Sequence, residues 1–176
     1  MKKEYFLKEA FYIKNFLQEE EIETLMKEIS MATEDDWWYG SREYAKTHDY
    51  AIGWSDRNLV PKNEKILKNI DNKCSNLFEN KYKTAGIHAI HRMYPGSSLI
   101  MHHDSGGPTA DLVNAIVIYL NDDFNGGELV YPKDNYILKP EKGMLVSHPG
   151  TEDYWHGVNE VLPGNTRYSL VNYIIS

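Results

Sequence analysis

A histidine and an aspartate two residues apart are the strongest chemical signal in this sequence. His102 and Asp104 lie in a segment whose composition predicts an extended strand. Side chains at positions i and i+2 of a strand point to the same face, so these two would project together while His103 points the other way. One imidazole and one carboxylate supply two ligands of a facial 2-His-1-carboxylate site. The open coordination positions of such a site suit non-haem Fe(II) and oxygen chemistry.

The third ligand of such a site must be a histidine from another part of the chain. The candidates are His48, His88, His91, His148 and His156. His88 and His91 are three residues apart on a predicted strand, so their side chains face opposite sides and cannot chelate together. His148 ends one predicted strand, and His156 begins an extended run. We expect His156 to complete the site, with His148 as the second choice.

The bulk properties restrict the class of protein. The chain has 176 residues and 41% hydrophobic residues, which is typical of one globular domain with a sizeable core. A single cysteine, Cys74, excludes a disulfide framework and fits a reducing compartment. The net charge of −7 argues against a nucleic-acid partner. The sequence shows neither a bilayer-spanning apolar run nor the apolar core of a signal peptide, so we expect a cytoplasmic protein without membrane association.

Two helices followed by many short strands are predicted to position the site. Apolar residues recur at helical spacing over residues 17–30 and again over 63–81. From residue 86 onward, short β-rich runs alternate with turn residues, and the predicted strands are 86–94, 97–104, 112–121, 127–131, 135–138, 143–148, 154–161 and 166–175. This order predicts a mostly β fold, a double-stranded β-helix or jelly roll buttressed by two N-terminal helices.

One domain over residues 1–176 accommodates this pattern, since no linker, repeat or low-complexity segment divides it. Residues 1–85 would provide the helical support and an aromatic loop, and residues 86–176 would form the jelly-roll core. Residues 33–61 have no clean period, and their aromatic residues form an aromatic loop over 37–54. We interpret it as a flap over a pocket, because long irregular loops in compact domains are usually functional or disordered.

Six short motifs follow one another in a fixed order: Tyr94-Pro95-Gly96, His102-x-Asp104, Tyr119-Leu120-Asn121-Asp122, Gly126-Gly127-Glu128-Leu129, His156-Gly157-Val158 and Arg167-Tyr168-Ser169. This order resembles that of the prolyl 4-hydroxylase-like branch of the 2-oxoglutarate- and Fe(II)-dependent dioxygenases. The ordered set is far more specific than any one motif, and it covers about half of the chain, residues 86–175. His148 falls where the family usually has an apolar or aromatic residue.

The resemblance implies an iron centre with two small cosubstrates. His102, Asp104 and His156 would hold Fe(II) and leave three positions open. In this family 2-oxoglutarate takes two of these positions and dioxygen takes the third. The implied reaction is the hydroxylation of a substrate C–H bond, coupled to decarboxylation of 2-oxoglutarate to succinate and carbon dioxide. Ascorbate as an accessory reductant is compatible with this chemistry.

The same resemblance implies how the cosubstrate is held. Arg167 matches the family position that binds the C5 carboxylate of 2-oxoglutarate, and we count it among the catalytic residues. A guanidinium suits this task because it can donate two parallel hydrogen bonds to a carboxylate. Tyr119 matches a tyrosine that donates to the same carboxylate, and Tyr94 matches a tyrosine near the C1 end of the cosubstrate.

The substrate is the least determined part of the prediction. A prolyl residue in a peptide or protein is the first hypothesis, because the resemblance is to prolyl hydroxylases. A free amino acid or another small molecule, hydroxylated by the same mechanism, is the alternative. A nucleic-acid demethylase of the same superfamily conflicts with the negative charge. A non-enzymatic jelly-roll binding module has no need of a metal triad together with a cosubstrate clamp.

Overall fold

The computed structural model describes residues 1–37, 56–86, 88–104 and 111–176. Residues 38–55 lie outside these described residues. They include most of the predicted flap and the candidate ligand His48. The N-terminal elements are β1 (Glu4–Tyr5), β2 (Phe11–Ile13), α1 (Glu19–Met31), a 3-10 turn (Glu34–Asp36), β3 (Asp56–Leu59) and α2 (Glu64–Leu77).

Local hydrogen bonds explain where the two helices begin. The Glu21 side chain accepts a hydrogen bond from the backbone N–H of Gln18, and the Asn63 side chain accepts one from the N–H of Ile66. Each bond supplies a partner near a helix N-terminus, where backbone donors lack intrahelical acceptors.

Neither of the described helices combines the length and the apolar character needed to cross a bilayer.

The rest of the described chain is almost entirely β-strand. In chain order the strands are β4 (Lys83–Thr84), β5 (Ala89–Met93), β6 (Leu99–His102), β7 (Leu112–Tyr119), β8 (Asn125–Gly126), β9 (Leu129–Tyr131), β10 (Tyr136–Leu138), β11 (Leu145–Pro149), β12 (His156–Val158), β13 (Val161–Leu162) and β14 (Arg167–Ile175). Short 3-10 turns precede β10 and β12.

Two antiparallel sheets organise these strands. Within the described ranges the larger sheet has the order β1-β2-β11-β7-β14-β5-β3, and β4 pairs with β14 outside this path. The smaller sheet has the order β10-β9-β12-β6, and β8 and β13 form a separate pair. Strands distant in sequence, such as β2 and β11 or β7 and β14, are neighbours in the larger sheet.

Each face of the larger sheet packs against a different layer. One face packs against both helices in a buried cluster that includes Ile118 of β7 and Leu170 of β14. The other face packs against the smaller sheet in a second cluster, in which Tyr119 meets Leu129 and Tyr131 of β9. Because side chains alternate along a strand, the odd-numbered residues at the end of β7 and the start of β14 point between the sheets. This interior space holds Tyr119 and Arg167.

The observed fold confirms the predicted mostly β architecture with two supporting helices. The helices lie within the predicted ranges or one residue beyond, and the last strand begins at Arg167, one residue later than predicted. Three details differ from the prediction. The strand predicted over 97–104 ends at His102, so Asp104 lies beyond it. β3 lies inside the stretch that had no clean period, and it is ordered by antiparallel pairing with β5. The single strand predicted over 154–161 is a 3-10 turn followed by β12, and β13 then pairs with β8.

Candidate active site

Pairing between β6 and β12 brings two of the predicted ligands together. His102 and His156 are direct cross-strand partners, and their ring centroids lie 4.4 Å apart. Asp104 follows β6 and places its Oδ1 3.7 Å from His102 Nε2 and its Oδ2 3.7 Å from His156 Nε2. One ligand atom from each of the three residues lies within 4.8 Å of the others. The predicted triad therefore converges as a metal site would require.

Backbone carbonyls fix the orientation of both imidazoles. His102 Nδ1 lies 2.9 Å from the carbonyl oxygen of Ile100, and His156 Nδ1 lies 2.9 Å from that of Tyr154. Since a carbonyl oxygen only accepts, each Nδ1 must carry the hydrogen and each Nε2 must present a lone pair. Both lone pairs belong to nitrogens that face Asp104. This use of Nδ1 as a donor is the usual arrangement of histidines that bind metals.

The ionisation states of the cluster also suit a divalent cation. Burial lowers the pKa of His156 to about 3, and the neighbouring His148 adds to the effect. Burial alone would raise the pKa of the Asp104 carboxyl, but the hydrogen bond from His148 and the surrounding imidazoles hold that pKa well below its usual range. At neutral pH a neutral His156 thus faces a charged Asp104, and metal ligands need these forms.

A buried guanidinium lies at the start of β14, between the sheets. Arg167 is 2% exposed, and its Nε donates to the carbonyl oxygen of Gly127 at 3.1 Å. Its Nη1 lies 3.2 Å from Ser169 Oγ. The guanidinium carbon lies 5.0 Å from the ring centre of Tyr119 on the neighbouring strand β7. The two residues that the family resemblance assigns to the same carboxylate are therefore neighbours in the structure.

The hydroxyl of Tyr119 marks the place where an anion fits. Tyr119 is fully buried, and its Oη has no hydrogen-bond partner among the residues that the structure describes. Burial raises the pKa of this phenol, partly offset by Arg167, so the O–H remains a donor. A buried donor without an acceptor is costly, and a carboxylate bound by Arg167 would supply one. The chain thus fits a dicarboxylate cosubstrate at this position.

Gly127 lies close to the side chains of Arg167 and Phe124. Its φ of +65° lies in the left-handed region, and a Cβ there would lie 3.0 Å from Arg167 Cδ and 3.1 Å from the Phe124 ring. A side chain at this position would displace the arginine, and the left-handed φ would add strain. Gly126 and Gly127 both have a positive φ, as glycines in turns often do.

Two other residues singled out in the sequence lie in different contacts. The ring of Tyr94 lies over the guanidinium of Arg92, 4.7 Å away, and its hydroxyl is 3.5 Å from Glu34 Oε1. Its assignment to the cosubstrate stays a prediction. The ring of His103 lies 5.3 Å from that of Trp155 and is outside the triad cluster.

His148 does not belong to the three-residue cluster but touches it. Its Nε2 lies 3.0 Å from Asp104 Oδ2, and its Nδ1 lies 2.8 Å from the hydroxyl of Tyr131. The sequence singled out His148 only as a second choice of ligand and did not single out Tyr131. The one signal for Tyr131 was its place in a predicted strand, which also suits an ordinary core residue.

Comparison with known proteins identifies the class. The sequence model of the 2OG-Fe(II) oxygenase superfamily matches residues 88–175, half of the chain, so the protein belongs to this superfamily. The chain is a 2-oxoglutarate- and Fe(II)-dependent dioxygenase, as the six motifs predicted. Among curated proteins, none matches this chain.

Solved structures with the same fold include several prolyl hydroxylases. The viral collagen prolyl hydroxylase of Paramecium Bursaria Chlorella virus-1, in complex with 2OG, has a TM-score of 0.72 at 16% identity, covering 96% of both chains. A Pseudomonas putida prolyl-4-hydroxylase has a TM-score of 0.69 at 18% identity, covering 95% of this chain and 92% of its own. A Trichoplax adhaerens prolyl hydroxylase in complex with a hypoxia inducible factor peptide fragment has a TM-score of 0.73 at 18% identity, covering 94% and 83%.

Proposed function

We propose that this dioxygenase hydroxylates prolyl residues in a peptide or protein and that its metal ligands are His102, Asp104 and His156. When bound, Fe(II) would supply oxidation of a substrate C–H bond by dioxygen, coupled to conversion of 2-oxoglutarate to succinate and carbon dioxide. The observation that carries the proposal is the convergence of the triad within 4.8 Å, in the same interior space as the Arg167–Tyr119 pair.

Each residue has a task that the geometry supports. The Ile100 and Tyr154 carbonyls hold the two imidazoles with Nε2 facing the metal position. Gly127 and Ser169 hold the guanidinium of Arg167. Arg167 and the Tyr119 hydroxyl would together bind the C5 carboxylate, because the guanidinium donates a bidentate pair and the phenol adds a third donor.

The side chains of the proposed site differ in their exposed fractions from one end to the other. The side chains of His102 and Asp104 are 22% and 14% exposed, whereas Arg167 is 2% exposed. The cosubstrate clamp is therefore at the closed end, and the substrate would approach past His102 and Asp104. Exclusion of water from the closed end strengthens the charged hydrogen bonds there.

A strand edge at the open end favours a peptide over a free amino acid. Among the described strands, β6 lies at the edge of the smaller sheet. Ile100 and Met101, immediately before His102, are 42% and 39% exposed. Exposed apolar side chains on an edge strand suit an extended chain. The Trichoplax adhaerens enzyme of the same fold is a prolyl hydroxylase in complex with a peptide fragment, which supports the same substrate class.

The first experiment tests the metal and cosubstrate apart from the substrate. Purified apoprotein is titrated anaerobically with Fe(II) and then 2-oxoglutarate, while the weak visible charge-transfer band of the chelate is recorded. We expect the band in the wild type and in His103→Ala, and its loss in His156→Ala. Absence of the band in the wild type would overturn the proposal. A band that persists in His156→Ala would show that the distal ligand is a different residue.

The substrate is then tested with two kinds of proline. Proline-containing peptides and free L-proline are offered separately, and the gain of one oxygen atom is measured by mass spectrometry together with succinate. We expect oxygen gain in a peptide. Hydroxylation of free proline alone would replace the peptide proposal with the small-molecule alternative.

A further inference from the structure

A buried relay of hydrogen bonds leads from the core to the proposed metal ligand Asp104. Tyr131 of β9 places its hydroxyl 2.8 Å from His148 Nδ1, and His148 of β11 places its Nε2 3.0 Å from Asp104 Oδ2. Tyr131 and His148 are both 0% exposed. The relay spans both sheets, since β11 lies in the larger sheet and β9 in the smaller.

For a neutral His148 ring, the donors and acceptors allow one consistent arrangement of this relay. The Asp104 carboxylate only accepts, so His148 Nε2 must carry the hydrogen that lies between them. Nδ1 of the neutral ring is then an acceptor, and its partner must donate. The Tyr131 hydroxyl is able to do so, and each hydrogen bond of the relay then has one donor and one acceptor. The opposite tautomer would set a nitrogen lone pair against the carboxylate.

This arrangement distinguishes His148 from the two proposed ligand histidines. In His102 and His156, Nδ1–H donates to a backbone carbonyl and Nε2 presents a lone pair. His148 does the reverse, because its Nε2–H is directed at Asp104. Although its ring lies only 4.2 Å from that of His156, its proton faces the cluster, and a protonated nitrogen cannot bind a metal.

We propose that His148, held by Tyr131, is the positioning residue for Asp104. Its hydrogen bond to Oδ2 fixes the plane of the carboxylate and leaves Oδ1, on the His102 side, to bind the metal through one oxygen. The inference rests on the proposed ligand set of His102, Asp104 and His156. It adds a specific claim, namely that metal affinity depends on a donor at position 148.

The test measures binding of Co(II) alone to the apoprotein, without cosubstrate or turnover. Titration calorimetry gives the Kd, and the visible bands of Co(II) report its ligand set. We expect His148→Phe to weaken binding by about 10- to 100-fold, the usual effect of losing the partner that orients a ligand. His148→Gln, whose amide N–H can replace Nε2–H, should recover most of the affinity. Tyr131→Phe should weaken binding less than His148→Phe.

The chain offers a control in a second, partly buried histidine–aspartate pair. His88 Nε2 lies 2.8 Å from Asp71 Oδ1, and Asp71 belongs to α2. His88→Gln should therefore leave the Co(II) affinity unchanged. Circular dichroism confirms folding of each variant. If His148→Phe does not fold, the Co(II) affinities of His148→Gln and Tyr131→Phe are compared with that of the wild type. This comparison decides whether the affinity depends on a donor at position 148.

The outcomes separate this inference from the proposed function. A wild-type Kd in folded His148→Phe would overturn the positioning role while leaving the triad intact. His148 would itself be a ligand if His148→Phe and His148→Gln both lost Co(II) binding while His156→Ala retained it. That result would overturn both the positioning role and the proposed ligand set. Weakened binding that glutamine restores, with wild-type Co(II) bands, would establish the positioning role.

Discussion

Gly157 and Leu99 meet across β12 and β6 so closely that a Cβ at position 157 would lie 2.9 Å from the Leu99 carbonyl oxygen. Gly157 directly follows His156, whose cross-strand partner is His102. We expect Gly157→Ala to separate the two strands and to weaken Co(II) binding on the order of tenfold, as other changes that misplace ligands do. Titration calorimetry of the apoprotein measures this.

Gly86→Ala is the control for a general loss of stability. Gly86 has a φ of +67° and open space around it, so alanine there strains the backbone without a clash. The strain should cost on the order of 1 kcal/mol of unfolding free energy and leave the Co(II) affinity unchanged. Equal Co(II) affinity in both variants would contradict the role assigned to the close approach at Gly157.

Tyr119→Phe should have opposite effects on stability and on cosubstrate binding. The hydroxyl is buried without a partner among the described residues, so its removal should raise the stability of the apoprotein by up to about 1 kcal/mol. The same change should raise the apparent KM for 2-oxoglutarate roughly tenfold, because a hydrogen bond to a charged group contributes about 1.5–3 kcal/mol. Urea denaturation and steady-state kinetics measure the two effects.

Tyr131→Phe provides the contrast for this stability effect. Tyr131 is equally buried, but its hydroxyl bonds to His148 Nδ1, so its removal should lower the stability of the apoprotein. If both variants lost stability equally, the Tyr119 hydroxyl would have a partner after all.

Arg167→Lys should impair the cosubstrate site and spare the metal site. Lysine keeps the charge but cannot donate the two parallel hydrogen bonds of a guanidinium. We expect the apparent KM for 2-oxoglutarate to rise roughly 10- to 100-fold, with an unchanged Kd for Co(II). Lys73→Gln, which removes a cation paired with Glu21 in the helical layer, should change neither value. An unchanged KM in Arg167→Lys would remove Arg167 from the clamp.

The apoprotein should lose stability as the pH falls below neutral. Burial, with the effect of His148, lowers the pKa of His156 from 6.5 to about 3. In the unfolded chain this imidazole takes up its proton near pH 6.5, so between these pH values the unfolded state binds more protons. The contribution of neutral His156 is therefore present above about pH 6.5 and is lost progressively as the pH falls towards about 3. Urea denaturation between pH 7 and 4 gives the unfolding free energy at each pH. This free energy should depend less steeply on pH in His156→Asn than in the wild type, and an identical dependence would contradict the assignment to His156.

Periodicity and motif spacing predicted the parts of the molecule that depend on local sequence. The two helices follow from their apolar stripes. Strand alternation predicted that His102 and Asp104 project together; they do lie close, although Asp104 is two residues beyond the end of β6. His156 is the expected third ligand ahead of His148, but strand pattern alone could not decide the choice between them, because both stand near strand ends. That choice depends on whether Nδ1 meets a carbonyl or a hydroxyl, and that contact is formed only in the tertiary structure.

Long-range contacts account for the rest of what the sequence did not reveal. β3 forms by pairing with β5, more than 30 residues later, and its own residues show no strand pattern. Tyr131 resembles any aromatic core residue until its hydroxyl meets His148. The predicted location of Tyr94 beside the cosubstrate came from the family resemblance, whereas its observed contacts are with Arg92 and Glu34.

The position of β14 has a consequence for how the chain matures during synthesis. β14 comprises residues 167–175, yet it lies in the middle of the larger sheet, between β7 and β5. A nascent chain that still lacks these residues exposes the unpaired edges of both neighbours, and such edges promote aggregation. The larger sheet can close only after residue 175 has left the ribosome. Arg167 belongs to that strand, so a chain interrupted before it would have the proposed iron ligands without the proposed cosubstrate clamp.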